Sequence, residues 1–106
     1  SVRELDSDHP LILDPGFGFS KTLDQNYQLM NNLESFAKLK QPFLVGVSRK
    51  SMIYKLLNSS PIESLNGTTV LNTLGVLKGA SILRVHDVKE ASEVLTLLKK
   101  VSNLIK

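Results

Sequence analysis

The sequence predicts an α/β fold made of parallel βα units, and three observations carry that expectation. Short apolar runs at Leu11-Ile12-Leu13, Phe43 to Val47 and Ile82 to Val85 begin roughly 30 to 40 residues apart, the spacing of successive βα units. Each run is followed by a stretch whose apolar residues recur every three or four positions, the mark of a helix with one buried face. Polar residues enter each run only at its C-terminal end, as in a parallel sheet whose faces are hidden by crossover helices.

The elements follow in order. Leu11-Ile12-Leu13 stops at Asp14-Pro15-Gly16, a breaker cluster that ends a buried strand. From Thr22 the apolar positions Leu23, Tyr27, Met30, Leu33 and Ala37 draw one helix face, and that helix stops before Pro42. Phe43-Leu44-Val45-Gly46-Val47 is rich in β-branched and aromatic side chains and runs into Ser48-Arg49-Lys50-Ser51. A short apolar segment, Met52 to Leu57, precedes a turn around Ser59-Ser60-Pro61, and a helix is expected from about Thr68 to Lys78, ended by Gly79. Ile82-Leu83-Arg84-Val85 leads to His86-Asp87, where Asp87 with Glu90 three residues on has the form of a capping box. Ala91, Val94, Leu95, Leu98 and Val101 then form a helical stripe.

Three strands alone leave a sheet with two open edges. A (β/α)8 barrel takes ~250 residues and puts its chemistry at the C-terminal ends of its strands, where Asp14, Ser48 to Ser51 and Arg84 to Asp87 all fall. The expected architecture is therefore a partial (β/α)8 TIM barrel, the last three βα units, with parallel strands ending near Asp14, Val47 and Val85. Residues 1–106 would form the C-terminal portion of one barrel domain.

Composition narrows the function classes. With no cysteine, disulfides, thiolate metal sites and a cysteine nucleophile are excluded, and a reducing, cytoplasmic setting is expected. Apolar runs break before the ~20 residues a membrane span needs, and Arg3, Glu4, Asp6 and Asp8 near the start do not make a secretion leader. The net charge of +3 comes from scattered lysines not interleaved with aromatics, which disfavours nucleic acid and suits a small phosphorylated ligand.

The segments Asp14-Pro15-Gly16-Phe17-Gly18-Phe19-Ser20-Lys21, Val45-Gly46-Val47-Ser48-Arg49-Lys50-Ser51 and Arg84-Val85-His86-Asp87-Val88 resemble three signatures of the dihydropteroate synthases, in that family's order and approximate spacing. The resemblance covers the chain from about Leu11 to its end. It implies a pterin-binding barrel that condenses 6-hydroxymethyl-7,8-dihydropterin diphosphate with p-aminobenzoate, giving 7,8-dihydropteroate and diphosphate in folate biosynthesis. The chain departs from the family after Asn66-Gly67, where Thr68, Thr69, Val70, Leu71, Asn72 and Thr73 replace a run of small residues and put close helix packing in doubt. The family's N-terminal strands and loops have no counterpart here, so an incomplete chain, inactive alone, is expected.

Residue by residue, the resemblance assigns pterin binding to Asp14, Gly46, Lys50 and Arg84. A carboxylate can accept both the 2-amino and the ring N–H hydrogen bonds of a pterin edge, although an Asp before Pro-Gly can also simply start an Asx-turn. The resemblance gives Lys50 the ring oxygen and nitrogen, and Gly46 lets the backbone lie close to the ring. It places Phe19, Lys21 and Ser51 at p-aminobenzoate, and a Ser51 hydroxyl at a helix N-terminus either meets the ligand carboxylate or caps the helix. Arg84 and His86 alternate on the third strand and so face one side; with Lys50 they form the implied catalytic set, and they would hold diphosphate as it leaves. Arg49 would add charge to that anion site. His9 lies outside every motif and is read as structural.

The reaction needs charge stabilisation on the leaving oxygens and no covalent intermediate. Mg2+ is implied by the resemblance, with no ligand assigned in this chain. The implied partners are the pterin diphosphate and p-aminobenzoate, with either a homodimer of full barrels or a separate N-terminal half. Three other readings stand beside this one: a non-catalytic pterin- or anion-binding remnant, an interaction module that pairs through open sheet edges, and the pterin domain of a methyltetrahydrofolate-dependent corrinoid methyltransferase.

Overall fold

In a computed structural model, residues 2–3, 12–18 and 21–105 are described. The elements are β1 (Val2–Arg3), β2 (Ile12–Leu13), α1 (Leu23–Asn31), α2 (Glu34–Ala37), β3 (Leu44–Val45), α3 (Ser51–Tyr54), α4 (Leu65–Leu77), β4 (Ile82–Leu83) and α5 (Val88–Ile105). Leu11, the expected start of the first strand, lies outside the described residues.

The expected parallel arrangement is present. β3 and β4 pair in parallel with Leu44 opposite Ile82 and Val45 opposite Leu83. A parallel bridge between Leu13 and Phe43 joins β2 to β3, with the Leu13 N–H donating to the Pro42 carbonyl at 2.9 Å. The strands β2, β3 and β4 thus neighbour one another in chain order, each followed by helix. The fold is α/β, as expected.

Two features of the sheet depart from expectation. β1 pairs antiparallel with β2, Val2 opposite Leu13 and Arg3 opposite Ile12, so one of the two edges expected to be open is covered. That pairing satisfies backbone groups that an edge strand otherwise exposes. β4 is not hidden on both faces either: Ile82 keeps 39% of its surface exposed, whereas Val45 is fully buried. Among the described residues β4 pairs with β3 alone, and an outermost strand has fewer neighbours to cover it.

The core lies between β2, β3 and the helices, where Leu33, Phe43, Val45, Val47, Met52 and Ile53 are sealed from solvent. The single helix expected from Thr22 to Ala37 is interrupted at Asn32-Leu33 and continues as α2. The break lets Leu33, at 0% exposure, seat in the core while the chain turns towards β3. Thr22 and Gln25 form a reciprocal capping box at the start of α1. Tyr27 pins α1 to α3 through its hydroxyl, which donates to the Met52 carbonyl at 2.7 Å.

α4 begins at Leu65 rather than Thr68, so Asn66-Gly67 lies inside the helix. The reason is packing. A Cβ on Gly67 would stand 2.5 Å from Ile53 Cγ2, and one on Gly75 would stand 3.1 Å from Val45 Cγ2. Glycine at these two positions lets α4 approach α3 and the sheet closely, which outweighs the roughly 1 kcal/mol that glycine costs a helix interior. The bulkier Thr68, Leu71 and Asn72 are buried beside them, so the close packing placed in doubt by those side chains is achieved.

Candidate functional site

The three strand ends deliver their polar segments to one region. Asp14 leaves β2, Gly46, Ser48 and Lys50 leave β3, and Arg84 and His86 leave β4. A Cβ on Gly46 would lie 2.9 Å from one Arg84 Nη and 3.1 Å from its Nε. The missing side chain is therefore what lets the guanidinium lie against the β3 backbone. Arg84 also approaches Asp14, Nη1 to Oδ2, at 3.8 Å. Gly46, Ser48, Lys50, Arg84, Val85 and His86 line a pocket of about 120 Å³.

Asp14 makes the Asx-turn that its place before Pro-Gly allows. Its Oδ1 accepts the Gly16 N–H at 2.9 Å, the Asx-turn geometry, while its Oδ2 is the oxygen nearest Arg84. Lys50 donates to the Phe17 carbonyl at 2.6 Å, tying the β3 loop to the β2 loop. Burial pushes the Lys50 ammonium below the usual lysine range, Arg84 adds to that, Asp14 opposes it, and Lys21 lowers it further. A lysine held this way is one whose charge an incoming acceptor or anion relieves.

A second pocket, of about 280 Å³, adjoins the first and shares Lys50; Phe17, Gly18, Arg49, Ser51, Tyr54 and Pro61 also line it. Ser51 opens α3, but Lys50 rather than Ser51 occupies the N-cap position, and no side-chain cap is made there. The capping reading of Ser51 is thereby corrected, and the residue lines the second pocket. Lys21 turns back to donate to the Gly16 carbonyl at 2.6 Å and is absent from the lining of that pocket. Phe19 and His9 lie outside the described residues.

Arg49 has a structural role at the site as well. Its guanidinium makes a two-point pair with Asp87, Nε to Oδ2 at 3.0 Å and Nη2 to Oδ1 at 2.8 Å, and its Nη1 donates to the Pro61 and Ile62 carbonyls at 2.9 Å each. It fastens three loops together, and it lines the second pocket beside Lys50. Its backbone sits at φ 56°, a strained position for a residue with a side chain, held there by its N–H donating to Thr68 Oγ1 at 3.0 Å. Asp87, expected as a helix cap, spends both carboxylate oxygens on Arg49.

Arg49 holds the Asp87 carboxyl below the usual carboxylate range, chiefly through these hydrogen bonds. A carboxyl lowered in the folded state adds stability that is complete above the unfolded pKa of about 4 and is lost as pH falls through the folded value. Asp87→Asn is therefore expected to flatten the fall in melting temperature between pH 5 and pH 2, read by circular dichroism; equal slopes in both proteins would contradict the pairing.

Sequence reasoning missed Asn26. It is 3% exposed, its Oδ1 accepts the Gly18 N–H at 3.2 Å, and its Nδ2 donates to the Gly18 and Thr22 carbonyls. Asn26 braces the loop after β2 from inside α1. The available signal was its place beside Tyr27 and three residues after Leu23, on the buried face of the helix. Among the described residues no group of three or more metal-binding side chains is gathered, and no helix is long and apolar enough to cross a membrane.

Known proteins share this fold. The family model for pterin binding enzymes matches residues 4–86. The chain is 48% identical over 89 residues to the dihydropteroate synthase of Escherichia coli (strain K12), covering 84% of this chain and 32% of that protein. The crystal structure of the Yersinia pestis dihydropteroate synthase superposes with a TM-score of 0.83 at 42% identity, covering 87% of this chain and 43% of that one. A Yersinia pestis structure with a pterine-sulfa conjugate matches with a TM-score of 0.82, also at 42% identity, over 87% of this chain and 36% of that one. The chain spans about a third of the length of the curated relatives it matches.

Proposed function

This chain belongs to the pterin binding enzyme family, and on that premise we propose that it carries the C-terminal βα units of a dihydropteroate synthase barrel. The observation that carries the reading is the convergence of three parallel strand ends: Gly46, Lys50, Arg84 and His86 line one pocket, Lys50 also lines the pocket beside it, and Asp14 stands 3.8 Å from Arg84. Strand ends of this polarity are where barrels of this kind place their chemistry.

In this reading Asp14 accepts two hydrogen bonds from the pterin edge, Lys50 donates to the ring from the other side, and Arg84 lies over it, with Gly46 leaving the space. Ser51 borders p-aminobenzoate, which enters the larger pocket beside Lys50, while Phe19 and Lys21 follow Phe17 and Gly18 in the loop that lines it. The amine nitrogen forms a bond to the pterin methylene carbon while the bond from that carbon to the diphosphate oxygen breaks, and the amine loses a proton. Negative charge grows on the leaving oxygens. Arg84 and His86 meet it, and fixed donors aimed at developing charge are the main source of rate in such a transfer.

The described residues do not fit a magnesium site, since no carboxylate cluster is gathered, and no step above is routed through one. A pterine-sulfa conjugate bound to a relative supports two adjoining ligand sites. The loss of one open sheet edge to β1 weighs against a module that pairs through that edge.

The test is turnover. This chain fused behind the N-terminal two thirds of the Escherichia coli enzyme should release diphosphate from the pterin substrate in the presence of p-aminobenzoate. A folded fusion that binds pterin and releases none would favour the non-catalytic remnant.

A further inference from the structure

We propose that Ser48 is a positioning residue that fixes His86 as the tautomer carrying its proton on Nε2. Ser48 is 7% exposed, and its Oγ stands 3.2 Å from the His86 backbone N and 3.0 Å from His86 Nδ1. A backbone N–H only donates, so Oγ accepts there. A serine hydroxyl has one proton to give, and among the described residues Nδ1 is the acceptor placed to take it. Were Nδ1 protonated, two donors would face Oγ, and its own hydrogen would have no acceptor among the described residues, which forfeits one hydrogen bond. Ser48 therefore donates to Nδ1, and the imidazole proton sits on Nε2, the nitrogen away from Ser48.

The consequence for ligand chemistry rests on the proposed function. His86 shares its pocket with Lys50 and Arg84, whose charged groups only donate. With its proton on Nε2, His86 becomes a third donor at the same place without carrying charge of its own. Such a set matches diphosphate, whose ionised oxygens only accept, and it would reject a ligand that presents a donor there. One hydroxyl thus determines whether the histidine offers a hydrogen or a lone pair to the leaving group.

The test uses the chain labelled with ¹⁵N-histidine, the His86 signals being identified by a His9→Gln variant. At pH 8 the two-bond nitrogen–proton pattern should show an unprotonated, hydrogen-bonded Nδ1 and a protonated Nε2. Ser48→Ala should move Nδ1 towards the tautomer-averaged position, and Ser48→Thr, which keeps the hydroxyl, should restore it. Titration with inorganic diphosphate should weaken by about tenfold in Ser48→Ala, the worth of one hydrogen bond to a charged group, and recover in Ser48→Thr. A wild-type spectrum with Nδ1 protonated, or a pattern unchanged in a folded Ser48→Ala, overturns the proposal. The wild-type spectrum decides even if the alanine variant does not fold. A chain with the expected pattern that binds no diphosphate upholds the Ser48 assignment and overturns the anion-site reading.

Discussion

Asp14→Asn is expected to weaken binding of a reduced pterin by about 100-fold, some 2.7 kcal/mol, while the fold survives. The substitution is selective because the two carboxylate oxygens have different tasks. Oδ1 accepts the Gly16 N–H and makes the turn after β2, and an asparagine oxygen does this equally well. The second oxygen becomes an NH2 group, which would meet a pterin donor with another donor. One charge-assisted hydrogen bond is lost, worth about 1.5–3 kcal/mol, and a repulsive contact replaces it. Calorimetric titration reads the affinity and thermal unfolding reads the fold. An affinity within about threefold of the parent chain, far short of one such hydrogen bond, would remove Asp14 from the pterin site.

The other large effect concerns the sheet. Phe43→Ala is expected to destabilise the chain by about 3–5 kcal/mol, much of the 5–15 kcal/mol that holds a typical domain together. Phe43 is 1% exposed and its ring packs 5.9 Å from that of Phe36. The same residue bridges to Leu13, and its carbonyl accepts the Ser81 N–H at 2.9 Å. Emptying that position leaves a cavity where all three parallel strands are joined. Melting temperature should fall by more than about 10 °C, and urea unfolding should shift with it; a fall of under about 3 °C would place Phe43 outside the core.

What was legible in the sequence was local. Leu13-Asp14-Pro15-Gly16 marks the end of a buried strand within four residues, and the same holds for Val47-Ser48 and Val85-His86. Parallel order follows because each strand is separated from the next by a helical segment that must cross over. Motif order then placed Asp14, Gly46, Lys50, Arg84 and His86 together, and they do meet. The Thr22 to Gln25 capping box was equally local and went unread.

What was not legible depends on partners far along the chain. Arg49 reads as one more basic residue until Asp87, 38 positions away, is seen beside it. Ser48 is likewise paired with a residue 38 positions on. Asn66-Gly67 has the form of a helix breaker, and only the closeness of Ile53 explains why glycine is inside α4. Asn26 has the composition of a surface residue, and its burial follows from its place on the helix rather than from its type.

The convergence of three strand ends into a preformed half of a pterin site is the central claim, and calorimetric titration of this chain with a reduced pterin tests it most directly. The parent chain should bind with measurable heat, and an Asp14→Asn, Arg84→Ala double variant of unchanged melting temperature should not. A folded parent chain that binds no pterin, or a double variant that binds as well as the parent, would contradict it.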